Sequence, residues 1–431
     1  MWLRLAAFAV LTAVLCIPAQ AQSPAVAQRA VLTLDEAFAR VDQSHPDLRL
    51  LQGQRAVLDA DLERAALRPP WVAGVGVENA LGSGDASGFK RAEITLSLAS
   101  VLERGGKLDA RKVLVQSRID ALAVDRESRR LDLLAEVARR YLAIVGAQRQ
   151  QAVAEFDIGQ RKRTVAGARQ RLQAGASPES VVLTAQAALA RAELDRARTA
   201  QRLLSARQHL AALWGERDPQ FEVVAGDPLA LPRINDFAAL ADLLDRNPEL
   251  MRFVGERRIR EARVQLARSQ STPDLDWQVG VRRLQEVDDF ALIGSVSMPL
   301  GAARRAGPDI RAAEAELALV EIEREVKGLS LYSTLAEAHG RYRVAQVEVE
   351  RLQGDVLPKL AQAEAAAERA YRAGAISYLE WAQLQSERTL SRKQQLEAAL
   401  DAQRALIEIQ RLTGEAFVAG PASRSPQGST P

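Results

Sequence analysis

Hydrophobic positions along this chain switch between two periods, and the switch occurs twice. Across 275–282, Leu275, Trp277, Val279 and Val281 fall on one side, with Asp276, Gln278, Gly280 and Arg282 on the other. Period two predicts a strand with one apolar and one polar face. Ile94, Leu96 and Leu98 alternate with Glu93, Thr95 and Ser97 in the same way. The runs 71–78 and 292–298 complete two pairs, joined through the turn-rich "LGSGDASGFK" (81–90) and through "LQEVDDF" (284–290). Each pair reads as a hairpin, one near 71–98 and one near 275–298.

Beyond each hairpin the period lengthens. Leu131, Leu134, Ala138, Tyr141 and Val145 recur at three- and four-residue spacing, as do Ala312, Ala315, Leu319, Ile322, Val326 and Leu329. Such spacing predicts long helices with coiled-coil seams. The stretch 108–172 contains no proline, and as one helix it spans on the order of 95 Å. Each long tract ends at an Ala-Gly pair, in "RLQAGASPES" (171–180) and "AYRAGAISYLE" (370–380). Gly175 and Gly374 are suited to the left-handed conformation that ends a helix. Ser177 is expected to cap the next helix, with Pro178 at its first position. Ser377 and Glu380 are spaced as a capping box, as are Thr33 and Glu36.

These landmarks form a duplication. "SHPDLRL" (44–50) answers "RNPELMR" (246–252), the region 66–78 answers 270–282, and "ALWG" (212–215) answers "RLTG" (411–414). The expected organisation is a first repeat over 22–232 and a second over 233–415, joined at the proline-bearing "DPLALPR" (227–233). The segment 416–431 is expected to be a disordered tail.

Composition narrows the function. Arg4, the apolar run 5–17 and the small-residue Ala19-Gln20-Ala21 predict a signal peptide over 1–21. The only cysteine, Cys16, lies within it, so the exported chain has no thiol for a disulfide or a metal. Removing Arg4 takes the formal charge from +3 to +2, and so balanced a sum argues against nucleic-acid binding. His45, His209 and His339 are far apart and match no ligand spacing. No catalytic constellation, metal site or cofactor is expected, and the chain reads as a non-enzyme. No later run approaches 18 apolar residues, so a membrane-spanning form would have to be a closed β-barrel. Four strands cannot close one, since single-chain barrels begin at about eight strands. Several copies would have to share it. The rival reading is a periplasmic coiled-coil adaptor or scaffold that never spans the membrane.

The duplicated order, His45-Pro46-Asp47-Leu48, Asn247-Pro248-Glu249-Leu250, "LRPP" (67–70), "SLASVLERGGK" (97–107), "SVSMPLG" (295–301) and both Ala-Gly turns resemble outer-membrane efflux proteins of the TolC family. "ERGGK" resembles the branch that serves heavy-metal cation exporters. The first hairpin departs from the usual pattern, with Ala99-Ser100 in place of Gln-Pro. The resemblance implies a mainly α fold with a small β part. Duplicated helical hairpins would form a tunnel, and four strands per protomer would enter a twelve-stranded barrel shared by a homotrimer in outer-membrane lipid. A periplasmic adaptor and an inner-membrane pump of the resistance-nodulation-division type are the implied partners, and metal cations the implied substrate, conducted passively. Gly175, Ser177, Gly374 and Ser377 would face the adaptor. Glu380 would lie near the periplasmic aperture, with Gln383 standing where relatives place a second acid.

Overall fold

The computed structural model describes residues 30–84, 87–224 and 226–417. The expected signal peptide and residues 418–431 of the expected tail lie outside these residues; Phe417, at the start of that tail, instead packs on Phe38, 5.8 Å between ring centroids. One order of elements occurs twice. The first pass has β1 (Ala30–Leu32), α1 (Leu34–Ser44), α2 (Pro46–Ala66), β2 (Val72–Glu78), β3 (Glu93–Leu102), α3 (Lys107–Gln173), α4 (Glu179–Ala211) and β4 (Phe221–Val223). The second has α5 (Phe237–Asp242), α6 (Pro248–Ser269), β5 (Leu275–Leu284), β6 (Asp289–Ser297), α7 (Ala302–Arg351), α8 (Leu357–Arg372) and α9 (Tyr378–Thr413). Local chemistry sets the starts. Thr33 and Glu36 form the expected capping box on α1. Pro46 and Pro248 open α2 and α6, where a missing amide hydrogen costs nothing. His45 Nδ1 accepts from the Asp47 amide at 3.2 Å, and Asn247 Oδ1 from the Glu249 amide at 2.8 Å.

The four long strands form one antiparallel sheet in the order β2-β3-β5-β6. β3 runs to Leu102, four residues past the expected hairpin. The register places Val75, Leu96, Val281 and Leu292 in one row across all four strands. The next row is Gly76, Thr95, Arg282 and Ala291. Alternation therefore gives the sheet one apolar and one polar face. Within a single protomer the apolar face is bare: Val75 is 73% and Leu292 87% exposed.

α3 is 67 residues long, about 100 Å. It packs against α2 and α6 toward the sheet and against α4 and α9 toward the other end. Leu134, Ala138, Tyr141 and Val145 are buried there, as their spacing predicts. The second seam behaves differently. Leu319, Ile322, Val326 and Leu329 on α7 lie in the open, Val326 at 62% and Leu329 at 66% exposure. The spacing identified a seam correctly, but none of the described residues of the same protomer fills it, because α6 and α9 pack on other sides of α7. α7 also differs from α3 in continuity. A π-helical turn, Leu352–Val356, separates it from α8. Pro358 follows directly, and in a regular α-helix its ring would crowd the carbonyl four residues back; the wider turn relieves this.

Two polar joints hold the parts in register. Where β3 becomes α3, the Lys107 ammonium is buried and lies 2.7 Å from Asp274, which also accepts from the Arg104 amide at 3.0 Å. Gly105 has φ +74°, and a Cβ there would lie 2.6 Å from Thr272 Cβ. Arg111 pairs with Glu103 at 2.5 Å. The "ERGGK" stretch thus fastens the first hairpin to the entry of the second. Farther along, Arg411 on α9 meets Asp132 of α3 at 3.0 Å, Glu249 of α6 at 2.7 Å and Glu408 at 2.9 Å. Glu249 also pairs with Lys327 of α7. Four helices converge on this hub.

Burial opposes ionisation of Glu249, but hydrogen bonds from Lys327 and Arg411 overcome it and hold its pKa below the usual 4.5. The pair therefore stabilises the fold above that pH, and the contribution is lost as pH falls through the lowered value. Arg411→Gln is expected to cost about 2 kcal/mol at pH 7, since Glu249 keeps Lys327 but loses its charge-assisted bond from Arg411. Its deficit relative to the wild type should shrink in acid. Thermal denaturation of the detergent-solubilised protein across pH 3–8 measures both effects.

Candidate functional site

The end of the molecule farthest from the sheet is built by the two Ala-Gly turns. Each is a Schellman motif. In the first, Gly175 has φ +69°, its amide donates to the Leu172 carbonyl at 2.9 Å, and the Ala176 amide donates to Arg171 at 2.8 Å. In the second, Gly374 has φ +81°, its amide donates to Tyr371 at 3.0 Å, and the Ala375 amide donates to Ala370 at 2.9 Å. The two hydrogen-bond patterns correspond residue for residue.

The starts of the following helices differ. Ser377 is the N-cap of α9, its hydroxyl accepting from the Glu380 amide at 3.3 Å. Ser177 does not cap α4. The N-cap there is Pro178, whose side chain has nothing to offer the helix amides. In register from the two glycines, Pro178 is the counterpart of Ser377, so Ser177 sits one residue too early. The expectation for Ser177 failed because the proline's extended backbone (ψ 158°) supplies the entry geometry without a capping hydroxyl.

Glu380 spends its carboxylate on the same cap. One oxygen accepts from the Ser377 amide and hydroxyl, both at 2.8 Å. These bonds hold its pKa below the usual carboxylate value. Its side chain is nevertheless solvent-exposed, and Gln383, one turn on, is exposed on the same side of α9.

Sequence reasoning did not single out the residues that join the two turns. Arg171 donates to the Tyr371 carbonyl at 2.6 Å and to the Ala176 carbonyl at 3.3 Å, so one guanidinium holds both. It also lies over the Tyr371 ring, 4.8 Å from its centroid. Tyr371 in turn stacks on Trp381 at 5.0 Å, and both are 3% exposed. With Val165, Ala168, Val182, Ala185 and Tyr378 they form a small core that spans all four helices of the tip. The signal was present, since Arg171 and Tyr371 flank the Ala-Gly pairs, but only contact across 200 residues reveals it.

At the opposite end the polar face of the sheet carries one cluster. Arg282 Nε donates to Thr95 Oγ1 at 3.0 Å, and its other nitrogens meet Glu93 at 2.7 Å and Glu78 at 3.1 Å. Next to this cluster the sheet leaves no room at Gly280, where a Cβ would lie 2.6 Å from the Leu96 carbonyl oxygen. On the apolar face Trp71 meets Trp277 edge-on, 5.3 Å between centroids, beside the joint with the helices. Tryptophans at the rim of an apolar band form the girdle of membrane barrels. Among the described residues no helix is long and apolar enough to cross a membrane, and no group of three or more His, Cys, Asp or Glu is arranged to hold a metal ion.

The sequence profile of the outer membrane efflux protein family matches residues 19–216 and 239–415. The cobalt-zinc-cadmium resistance protein CzcC of Cupriavidus metallidurans is 30% identical over 290 residues, which cover 67% of this chain and 69% of that protein. The crystal structure of CusC superposes with a TM-score of 0.73 at 17% identity, covering 88% of this chain and 91% of that one. A membrane protein from Pseudomonas aeruginosa gives a TM-score of 0.72 at 18% identity, covering 88% and 90%.

Arg171→Met is expected to separate the two turns while leaving each Schellman motif intact. Limited proteolysis at 170–180 and 370–380 should then speed up by about tenfold, the effect of losing one or two charge-assisted hydrogen bonds. An unchanged cleavage rate means that the turns hold independently.

Proposed function

The chain belongs to the outer membrane efflux protein family and is an outer-membrane efflux channel; from that premise we propose that three copies form one conduit for metal cations. The observation that carries the reading is the bare apolar face of an open four-stranded sheet. Among the described residues β2 and β6 each have one edge without a strand partner. In lipid every such amide and carbonyl costs several kcal/mol unless it is paired. Pairing β6 of one copy with β2 of the next satisfies both edges, and three copies give twelve strands. The polar face with Arg282, Glu78 and Glu93 then lines the lumen, and the row through Val75, Leu96, Val281 and Leu292 meets lipid.

The helices carry matching evidence. Leu183, Leu194 and Leu204 stand exposed at heptad-like spacing on α4, and the open seam of α7 runs along the other flank of the protomer. Within the chain α4 packs chiefly on α3. Two unfilled apolar seams on opposite flanks suit a ring of copies, in which each seam is covered by a neighbour. A periplasmic adaptor or scaffold would have no use for an exposed apolar sheet face.

Metal cations as substrate rest on the likeness to CzcC, whose name records cobalt, zinc and cadmium resistance. The adaptor and the inner-membrane pump are part of the same proposal, with the tips around Gly175 and Gly374 as the docking end. Transport through the channel is passive, and energy enters at the pump.

The reading is tested by purifying the protein from outer-membrane fractions, measuring its mass and recording conductance in a planar bilayer. Trimers with discrete conductance steps are expected, and a soluble monomer without conductance would refute it. Val326→Glu combined with Leu329→Glu places charge in the inter-copy seam and should reduce the trimer fraction by about tenfold or more. Gly374→Trp should leave trimers and conductance intact while abolishing metal resistance in cells. Full resistance in that variant would make the tip a turn and nothing more.

A further inference from the structure

Three arginines meet in an open groove between α3, α9 and the linker that joins the two passes of the chain. The groove has a volume of about 350 Å³. Arg149 enters from α3, and Arg388 and Arg392, one helical turn apart, from α9. Both α9 guanidiniums lie on the Phe156 ring, 5.2 and 3.7 Å from its centroid. Stacking engages the flat face of a guanidinium and leaves its in-plane N–H edge for other partners.

The three differ in what meets that edge. Arg388 is neutralised by Glu364, a buried carboxylate 2.5 Å away. Arg149 donates to the Gly226 carbonyl at 3.1 Å, but its Nε is buried with no acceptor. Arg392 is half-buried and has neither ion pair nor hydrogen bond among the described residues. Asp227, the acid lining the same groove, accepts from the Leu229 amide at 3.2 Å and pairs with none of the arginines. Burial and the adjacent Arg388 charge push the Arg392 pKa down, partly offset by Glu364. A cation held against both penalties without an acceptor is destabilising by itself, and a bound anion removes the penalty.

We propose that this groove binds a multiply charged oxyanion, phosphate or a dicarboxylate, between Arg392 and Arg149. The guanidinium fork matches two oxygens of either group. Gln395, one turn beyond Arg392 on α9 and also lining the groove, adds a neutral amide. Occupancy ties the linker, through Arg149 and Gly226, to α9, which reaches the tip. The site lies within one protomer and does not depend on what the channel conducts.

The test uses the full-length protein in detergent, titrated with sodium phosphate or sodium succinate against sodium chloride at matched ionic strength, with the thermal midpoint as readout. A saturable rise with phosphate, succinate or both is expected in the wild type. In Arg392→Gln the apparent affinity should fall about tenfold or more, as for loss of a charge-assisted pair. Among the described residues Arg392 has no ion pair or hydrogen bond, and the variant gives up its stacking on Phe156 together with an uncompensated charge. It should therefore keep the wild-type circular dichroism, and its titrations are read against its own chloride midpoint. Arg343→Gln, on an exposed face of α7, should titrate like the wild type. No shift with either anion, or an equal shift in Arg392→Gln, overturns the proposal.

Discussion

The unpaired edges of β2 and β6 govern most of what this molecule must do. A backbone amide without an acceptor is tolerable in water and costly in hydrocarbon. The sheet has an apolar face that suits lipid, yet four strands cannot wrap round to meet each other. In the proposed assembly the edges are satisfied by other copies. That requirement propagates into the helices: the α4 and α7 seams are left open in a single protomer, and Trp71 and Trp277 sit at the rim of the apolar band rather than in a core. In the proposed assembly, much of what resembles poor burial in one chain is surface for neighbours or for lipid.

Duplication supplied the parts, and divergence assigned them different tasks. The two Schellman turns are interchangeable in geometry, and Tyr141 and Tyr342 repeat one device. Tyr141 places its hydroxyl 3.2 and 3.1 Å from the Leu32 and Val224 carbonyls, and Tyr342 bonds the Pro232 carbonyl, so each pins mid-molecule backbone to a long helix. The helix continuity was not preserved. α3 runs unbroken for 67 residues, while α7 gives way at Leu352–Val356 before Pro358. The first pass supplies a stiff strut and the second a jointed one, and Arg171 couples them where they end.

Electrostatics does its structural work at a few converging points rather than along the surface. Many exposed i,i+4 pairs contribute little each. The Arg411 hub and the Lys107–Asp274 joint are buried enough for geometry to matter, and each connects elements that sequence separates by more than 150 residues. The groove at Arg392 is the converse case, where positive charge gathers without enough carboxylate to balance it.

Period and capping chemistry depend on neighbours a few residues away, so the sequence by itself determined the strands, the long helices, the turns at Gly175 and Gly374, and the Thr33 and Ser377 capping boxes. It also fixed which face of each strand is apolar, because side chains alternate strictly along an extended backbone. Periodicity could not say whether a seam is filled from within the chain, which is why the α3 and α7 seams look alike in sequence and fare oppositely in burial. It misplaced the cap at Ser177, because a proline's fixed backbone competes with a serine's hydroxyl one residue away. Arg171 with Tyr371, Arg411 with Glu249, and Arg392 with Phe156 are pairings across separations that no local rule spans. Only the tertiary structure decided these, since a contact between distant residues depends on where every helix between them leads.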